Sequence, residues 1–403
     1  MLRDGDPEVL VVGAGPVGLV AALCLQRNGV RTAIIDMHER TRQHSYALAL
    51  HPLTLGILDE AGLAERLIDA GRKVTTVAFY EGARRCAEID YSRLASSHPY
   101  LVVVRQSLLE RAAEDALRQN KWKVFWAHRL HALTADDGGV RAEIASLDHV
   151  ATGYPVARSE WVVAGTETIR PAFVIGADGY DSAVRRMAGI EMNAHGASQI
   201  YSVYEIEAAG DLPEETRVVL DPDSTSVYWP LEPGRCRWGF QIRDAAEHDT
   251  SMEQFGKLIA ARAPWFSAQP TRVYWSSAGL FEARLAQRFG GAGVWLAGDA
   301  AHQAAPVGVH SMNSGLVEAS ELAARISRIL HAGEAPVQLE EFAKDTHEAW
   351  RRLLDADGTV RALPDADPWV RQNGSRILGC IPASGDDLDA LLRQIGLTAR
   401  LRA

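Results

Sequence analysis

Three glycines, Gly13, Gly15 and Gly18, stand at the spacing G-x-G-x-x-G after the apolar run Val9-Leu10-Val11-Val12 and open a helical pattern. The next apolar run, Ala33-Ile34-Ile35, ends in Asp36, 23 residues after Gly13. Strand, glycine turn, helix and acid-ended strand together read as a βαβ unit that binds a dinucleotide. Gly13 allows the tight turn, Gly15 lets backbone approach a pyrophosphate, and Gly18 lets helix and strand pack closely. Pro16 and Val17 begin the helix, whose unpaired N–H groups suit phosphate oxygens. Asp36 is placed to accept hydrogen bonds from a ribose diol.

Three further segments carry candidate chemistry. Arg105 stands at the start of a helix beginning Gln106-Ser107-Leu108. A cation there opposes the helix dipole, so it calls for a nearby anion. The buried run Phe173-Val174-Ile175-Gly176 leads into Ala177-Asp178-Gly179, and Val294-Trp295-Leu296-Ala297 leads into Gly298-Asp299-Ala300-Ala301-His302. A carboxylate at the end of an apolar strand is costly unless something pairs with it. After it come Pro306 and then His310, Met312 and Asn313.

These four motifs, in order and spacing, resemble the class A flavoprotein aromatic monooxygenases, the p-hydroxybenzoate hydroxylase-like family. The resemblance covers about residues 8 to 350. It implies that Gly13, Gly15, Pro16, Val17, Gly18 and Asp36 hold the ADP half of noncovalent FAD, with Leu130 lending backbone near the adenine. It implies that Arg105 contacts the cofactor near its pyrophosphate or ribityl chain. Asp178 and Gly179 match a motif that serves both FAD and NAD(P)H, and Asp299 matches the aspartate that binds the ribityl chain. The helix after Asn313 would aim its N-terminus, with Met312 and Asn313, at the flavin pyrimidine.

Two departures from the family pattern are visible. The usual Pro-x-Gly-Gly-Gln-Gly-x-Asn here reads Pro306-Val307-Gly308-Val309-His310-Ser311-Met312-Asn313. Valine and serine replace two glycines, and His310 replaces glutamine. The Arg-Ala expected after the ribose acid is Tyr46-Ala47. An imidazole that titrates near pH ~6.5 can accept a phenolic proton, so His310 is a candidate catalytic base beside Pro306 in the substrate site. The competing reading leaves it as a loop histidine bonded to backbone.

The elements that must position these groups follow from periodicity. Helical spacing covers 16–28, 53–70 in one or two pieces, 106–120, 314–331, 337–356 and 386–395. Strand patterns cover 74–80, 123–127, 173–179 and 294–298, with a β-meander over 134–170. From 199 to 280 strands dominate: 200–206, 226–231, 237–242 and 272–277. The fold class expected is α/β. A discontinuous Rossmann-like FAD-binding domain would comprise 1–75, 100–190 and 285–360. An inserted, mostly antiparallel sheet domain for substrate would comprise 76–99 and 191–284, and C-terminal helices 361–403. Alternation sorts Trp238, Phe240 and Ile242 to one face of their strand, opposite Gln241. Tyr228 and Gln241 are the polar groups expected to orient a substrate among apolar walls.

Composition excludes several classes. The 403 residues carry a formal net charge of −10, which disfavours nucleic acid or an anionic membrane as partner. The four cysteines, Cys24, Cys86, Cys236 and Cys380, are far apart and form no C-x-x-C, so neither a metal site nor a disulfide frame is expected. Met1–Glu8 is polar and the apolar strand after it is short, so no signal peptide is expected. No apolar run reaches about 18 residues, so no membrane span is expected. The expectation is a cytoplasmic enzyme of unspecified oligomeric state. It would use FAD, with NAD(P)H as transient co-substrate and O₂, to hydroxylate or insert oxygen into an aromatic or polyketide-like molecule. A flavin dehydrogenase or oxidase acting on a ring or polyprenyl substrate, and a non-catalytic flavin-binding partner protein, remain as alternatives.

Overall fold

Val9–Val12 lies inside a six-stranded sheet. The strand order is Gly290–Gly291, Val294–Leu296, Phe173–Gly176, Val9–Val12, Thr32–Ile35, Val124–Phe125. All neighbours run parallel except the Gly290–Gly291 edge. The inner strands are buried on both faces, which is why their sequence is continuously apolar rather than alternating. This computed structural model describes residues 7–40, 47–136, 139–152, 158–243, 249–354 and 358–399. Tyr46, whose replacement of arginine was noted above, lies outside the described residues.

The helices are α1 (Pro16–Arg27), α2 (Pro52–Glu60), α3 (Ala64–Ala70), α4 (Gln106–Gln119), α5 (Ala183–Met187), α6 (Met252–Arg262), α7 (His310–Ala332), α8 (Val337–Leu353), α9 (Pro368–Leu378) and α10 (Gly385–Gln394). α1, α4 and α7 pack together and share one large apolar core with the parallel sheet. A three-stranded meander, His128–Asp136, Gly139–Thr152 and Arg158–Ile169, forms a separate antiparallel sheet, and its Leu130, Val140 and Ile144 share a second core with Leu10, Ile35 and Val174.

The second large sheet has seven strands: Gln269–Phe281, Gln199–Ala209, Arg235–Ile242, Ser224–Pro230, Thr216–Asp221, Thr76–Glu81, Arg84–Asp90. It is antiparallel except where Thr216–Asp221 meets Thr76–Glu81. Its two faces have different partners. Tyr204, Tyr228, Trp238 and Phe240 pack under Phe255 and Leu258 of α6. Tyr201, Val227 and Trp229 face the other way, into the core shared with α1 and α7.

Several expectations are corrected here. α6 lies within the block read as strands; Ser251 caps it by accepting from Gln254 N–H. α9 falls in the expected helical tail, though helical spacing marks only 386–395 there; Pro368 starts it and Asp367 caps it. The long helix α7 begins at His310 rather than after Asn313, and the strands at 124 and 294 are shorter than the patterns suggested.

Candidate functional site

Three chain segments meet at the N-terminus of α1. A Cβ built on Gly13, whose φ is +104°, would lie 2.3 Å from Ala177 O, so the turn fits only glycine. A Cβ on Gly15 would meet nothing within 4 Å, which leaves the backbone open to a ligand on that side. The Val17 side chain fills the space beside Gly298 and Gly315. A Cβ on either would fall within 3 Å of Val17 Cγ2. Val17 thus brings the start of α1, the turn Gly298–Ala300 that carries Asp299, and the first turns of α7 into contact. Both α1 and α7 start without a side-chain cap, so their first N–H groups remain available to an outside acceptor.

Asp299 stands where these elements converge. Water reaches its side chain, yet protein surrounds it closely enough that burial pushes its carboxyl above the ordinary range, with His302 opposing. Among the described residues no hydrogen bond to this carboxylate is found; only its backbone carbonyl accepts, from Gln303. An unpartnered carboxylate within reach of water suits a ligand rich in hydroxyl donors. Behind the turn, Glu318 of α7 accepts from Gly298 N–H at 2.9 Å and from Trp350 Nε1 at 2.9 Å, and lies 2.8 Å from His302 Nε2. His302 stacks on Trp350 with ring centroids 3.7 Å apart.

Asp36 ends its strand as a local staple. Its Oδ2 accepts from Ala14 N–H at 2.7 Å and its Oδ1 from His38 N–H at 2.8 Å, tying the acid to the glycine turn. Asp178 is occupied differently. It accepts from Ser182 Oγ, Ala183 N–H and Val184 N–H, so it caps α5, and burial raises its carboxyl. Gly179 beside it has φ +81°. Leu130 sits inside the meander opposite Ile144 with its side chain in the core.

The anion that Arg105 calls for is protein. Its guanidinium donates to Glu205 at 3.0 and 2.5 Å and to Glu232 at 2.9 Å. Glu205 also accepts from Arg237 at 2.6 Å and from Trp275 Nε1 at 3.2 Å. Burial favours the neutral acid, but these guanidiniums outweigh it and hold Glu205 below the usual carboxylate range. Arg105 therefore joins the start of α4 to the seven-stranded sheet.

The loop from Pro306 to Asn313 is tightly bound inward. Asn313 is fully buried. Its Nδ2 donates to Ala49 O and Val309 O, and its Oδ1 accepts from His51 N–H. Its side chain is thus committed to protein. Met312 is buried in the same first turn of α7, and Pro306 is half-buried. Val309 has φ +52°, a left-handed conformation that costs a β-branched residue roughly 1–2 kcal/mol. This is one of the two positions where a glycine of the family pattern is replaced. At the other, Ser311 Oγ accepts from Ala304 N–H at 3.0 Å, a contact glycine could not make.

His310 is corrected as a catalytic base. It is 1% exposed, and its ring sits edge-on to His51, beside Gly308 and Gly379 of the C-terminal segment. Burial is the main cause that pulls its imidazole down to about 4. A base must reach the proton it takes, and this ring is closed off by protein.

Tyr228 is corrected too. It lies opposite Trp238, while Val227 lies opposite Gly239. Directly opposed residues share a face, so Tyr228 belongs with Trp238 and Phe240 under α6, and its hydroxyl donates to Pro213 O. Gln241 lies opposite Tyr201 on the other face, where its Oε1 accepts from Thr225 N–H. Alternation fixed parity within each strand but not the register between them.

Sequence reasoning missed His51 and Glu318. His51 directly precedes the proline that starts α2, and Glu318 is an acid on the apolar face of α7 beside Gly315, Leu316, Ala319 and Leu322. A lone polar residue on such a face was the available signal. No cluster of potential metal ligands and no helix long and apolar enough to cross a membrane occurs among the described residues.

Comparison with known proteins gives a match to the family model described as FAD binding domain over residues 6–357. The 6-methylpretetramide 4-monooxygenase of Streptomyces rimosus is 27% identical over 365 residues, 89% of this chain and 62% of that protein. The pentachlorophenol 4-monooxygenase of Sphingobium chlorophenolicum is 26% identical over 373 residues, 90% of this chain and 65% of that protein. The chain thus spans less than two-thirds of the length of these curated relatives. The crystal structure of p-nitrophenol 4-monooxygenase from Pseudomonas putida DLL-E4 superimposes with a TM-score of 0.77 at 23% identity, covering 98% of this chain and 97% of that one. At that identity the likeness speaks for the fold.

Proposed function

This chain belongs to the FAD binding domain family, and from that membership we propose that it is a class A FAD-dependent monooxygenase. It would use NAD(P)H and O₂ to hydroxylate an aromatic or polyketide-like small molecule. The observation that carries the reading is Asp299, a carboxylate without a hydrogen-bond partner among the described residues, on the turn that Val17 packs against the starts of α1 and α7. The names of the two curated relatives, monooxygenases of 6-methylpretetramide and of pentachlorophenol, support the substrate class.

The residues present fit FAD. The Gly13–Gly18 turn and the first N–H groups of α1 would take the pyrophosphate, Asp36 a ribose hydroxyl, and Asp299 the ribityl hydroxyls. Bound there, FAD would supply the redox chemistry that takes hydride from NAD(P)H and activates O₂. The first N–H groups of α7 favour negative charge at its N-terminus. The seven-stranded sheet turns Tyr201, Val227, Trp229 and Gln241 toward the core it shares with α1 and α7, and this face, with Pro306, is our choice for the substrate wall. Apolar walls with few polar groups exclude water and leave Gln241 as an orienting group.

The division into a FAD-binding part (1–75, 100–190, 285–360), a substrate part (76–99, 191–284) and a C-terminal tail (361–403) is supported by sheet membership. The parallel sheet draws on all three pieces of the first part, and strands 76–81 and 84–90 join the second sheet. Four free, dispersed cysteines support a reducing, cytoplasmic setting.

The test is cofactor titration. Purified protein should bind FAD noncovalently, and Asp299→Ala should weaken it by about 1–3 kcal/mol, the scale of a lost partner. Unchanged FAD retention in that variant would remove Asp299 from the site.

A further inference from the structure

His51 touches three separate parts of the chain. Its backbone N–H donates to Asn313 Oδ1 at 2.8 Å, its Nε2 lies 2.9 Å from Gly308 O, and its Nδ1 lies 3.0 Å from Ser384 Oγ. The ring is fully buried. A carbonyl oxygen can only accept, so Nε2 carries the proton and donates to Gly308. Nδ1 then accepts from the Ser384 hydroxyl, which fixes the tautomer from the far side.

The loop that His51 grips needs holding. Val309, directly after Gly308, occupies the left-handed region that β-branched side chains avoid, so the local sequence does not favour this conformation. The carbonyl before the strained residue is held by His51 and the carbonyl of Val309 itself by Asn313 Nδ2. A Cβ on Gly308 would lie 2.2 Å from His310 Nε2 and 2.7 Å from Gly379 O, so the loop is also wedged against the C-terminal segment. Immediately beyond it α7 begins, uncapped.

We propose that His51 is a positioning residue: through its Nε2–H to Gly308 it holds the strained Gly308–Val309 peptide, and with it the first N–H groups of α7, in the arrangement that receives FAD. The inference rests on the FAD-binding reading above. In this role His51 touches no cofactor. It acts on the loop, while Ser384 sets which of its nitrogens donates, so the C-terminal segment takes part in shaping the α7 terminus.

The experiment is FAD titration of apo-protein, followed by flavin fluorescence and the visible spectrum of the bound cofactor, in four proteins. His51→Gln can still present an amide donor near the Nε2 position; His51→Asn is too short to reach Gly308. The Asn variant should bind FAD about tenfold more weakly and the Gln variant within about threefold of wild type, the scale of one hydrogen bond. Adding Val309→Gly to His51→Asn removes the strain that had to be held, and should restore most of the affinity and the wild-type flavin spectrum. A merely structural histidine would not distinguish Gln from Asn in this way, nor be rescued at 309. If the Asn variant does not fold, Ser384→Ala is used instead, with a weaker loss of affinity in the same direction. Wild-type affinity in His51→Asn, in Ser384→Ala when it takes that place, or no rescue by Val309→Gly, would overturn the role. Wild-type protein that bound no FAD would remove the parent reading and this inference together, whereas FAD-binding wild type with an indifferent Asn variant removes this inference alone.

Discussion

Glu318 accepts the Gly298 N–H at 2.9 Å, so a carboxylate in the interior of α7 holds the turn that presents Asp299 from behind. The same carboxylate takes the Trp350 indole N–H and contacts His302. It serves three groups with two oxygens. Glu318→Gln keeps the shape but offers one accepting oxygen, so at least one buried donor loses its partner. The expected result is weaker FAD binding by about 1–3 kcal/mol with the overall fold retained. Cofactor titration alongside far-UV circular dichroism checks this; unchanged affinity would show that the turn holds Asp299 without help.

Tyr228 gives a contrasting case. Its hydroxyl serves Pro213 O under α6, on the sheet face turned away from α1 and α7. Tyr228→Phe should cost about 1 kcal/mol of stability and leave apparent substrate affinity alone. Gln241→Ala should raise apparent KM, in addition to the stability lost with its bond to Thr225 N–H. Thermal melts and NAD(P)H oxidation kinetics on the two variants separate the faces, and a KM effect at Tyr228 would contradict the assignment.

Stability should fall with acid through His310. Its folded pKa, about 4, is below the ordinary 6.5, with burial the main cause. The unfolded chain therefore binds the proton more readily between those values. Its contribution is fully present above pH 6.5 and is lost as pH falls toward and through 4, to a limit of about 3 kcal/mol. His51 is shifted in the same direction, by burial first and by His310 second, and adds to the loss. Melting temperatures from pH 7 to 4.5 should drop less steeply in His310→Gln than in wild type. Parallel profiles would show that His310 does not titrate in this window.

Gly308→Ala should be destabilising by about 1–3 kcal/mol, because the added carbon meets the His310 ring and the Gly379 carbonyl. Val309 is also buried in the core, so Val309→Gly loses packing as well as left-handed strain. Val309→Ala loses that packing and keeps a Cβ at φ +52°, so it should melt lower than Val309→Gly. Thermal melts compare the two, and an alanine variant at least as stable as the glycine one would mean that Val309 is unstrained.

Much of the architecture was legible because it rests on local rules. Val9–Val12, Phe173–Gly176 and Val294–Leu296 are doubly buried strands, so each reads as a pure apolar run ending in a turn. α4 was legible from its apolar spacing and α10 from its leucines. What failed was tertiary. α6 places few apolar residues between strongly strand-like neighbours, so Phe255 and Leu258 gave too faint a period. The face of Tyr228 depended on register with Trp238, which alternation within one strand does not contain. His310 was assigned from its loop position, but its ring is buried beside the C-terminal segment around Gly379, some seventy positions away. Arg105 was read as needing an anion and that anion was sought in the cofactor; the fold pairs it with Glu205 and Glu232 instead, a hundred or more positions along the chain.

The central claim, monooxygenation, is tested most directly by isotope. FAD-loaded protein is given NAD(P)H, ¹⁸O₂ and a panel of phenols and polycyclic aromatic ketones, and products are weighed by mass spectrometry. The account predicts that an accepted substrate gains one ¹⁸O atom per NAD(P)H consumed, the second oxygen atom leaving as water. A substrate oxidised without label would make this chain a flavin dehydrogenase or oxidase, and would contradict the account.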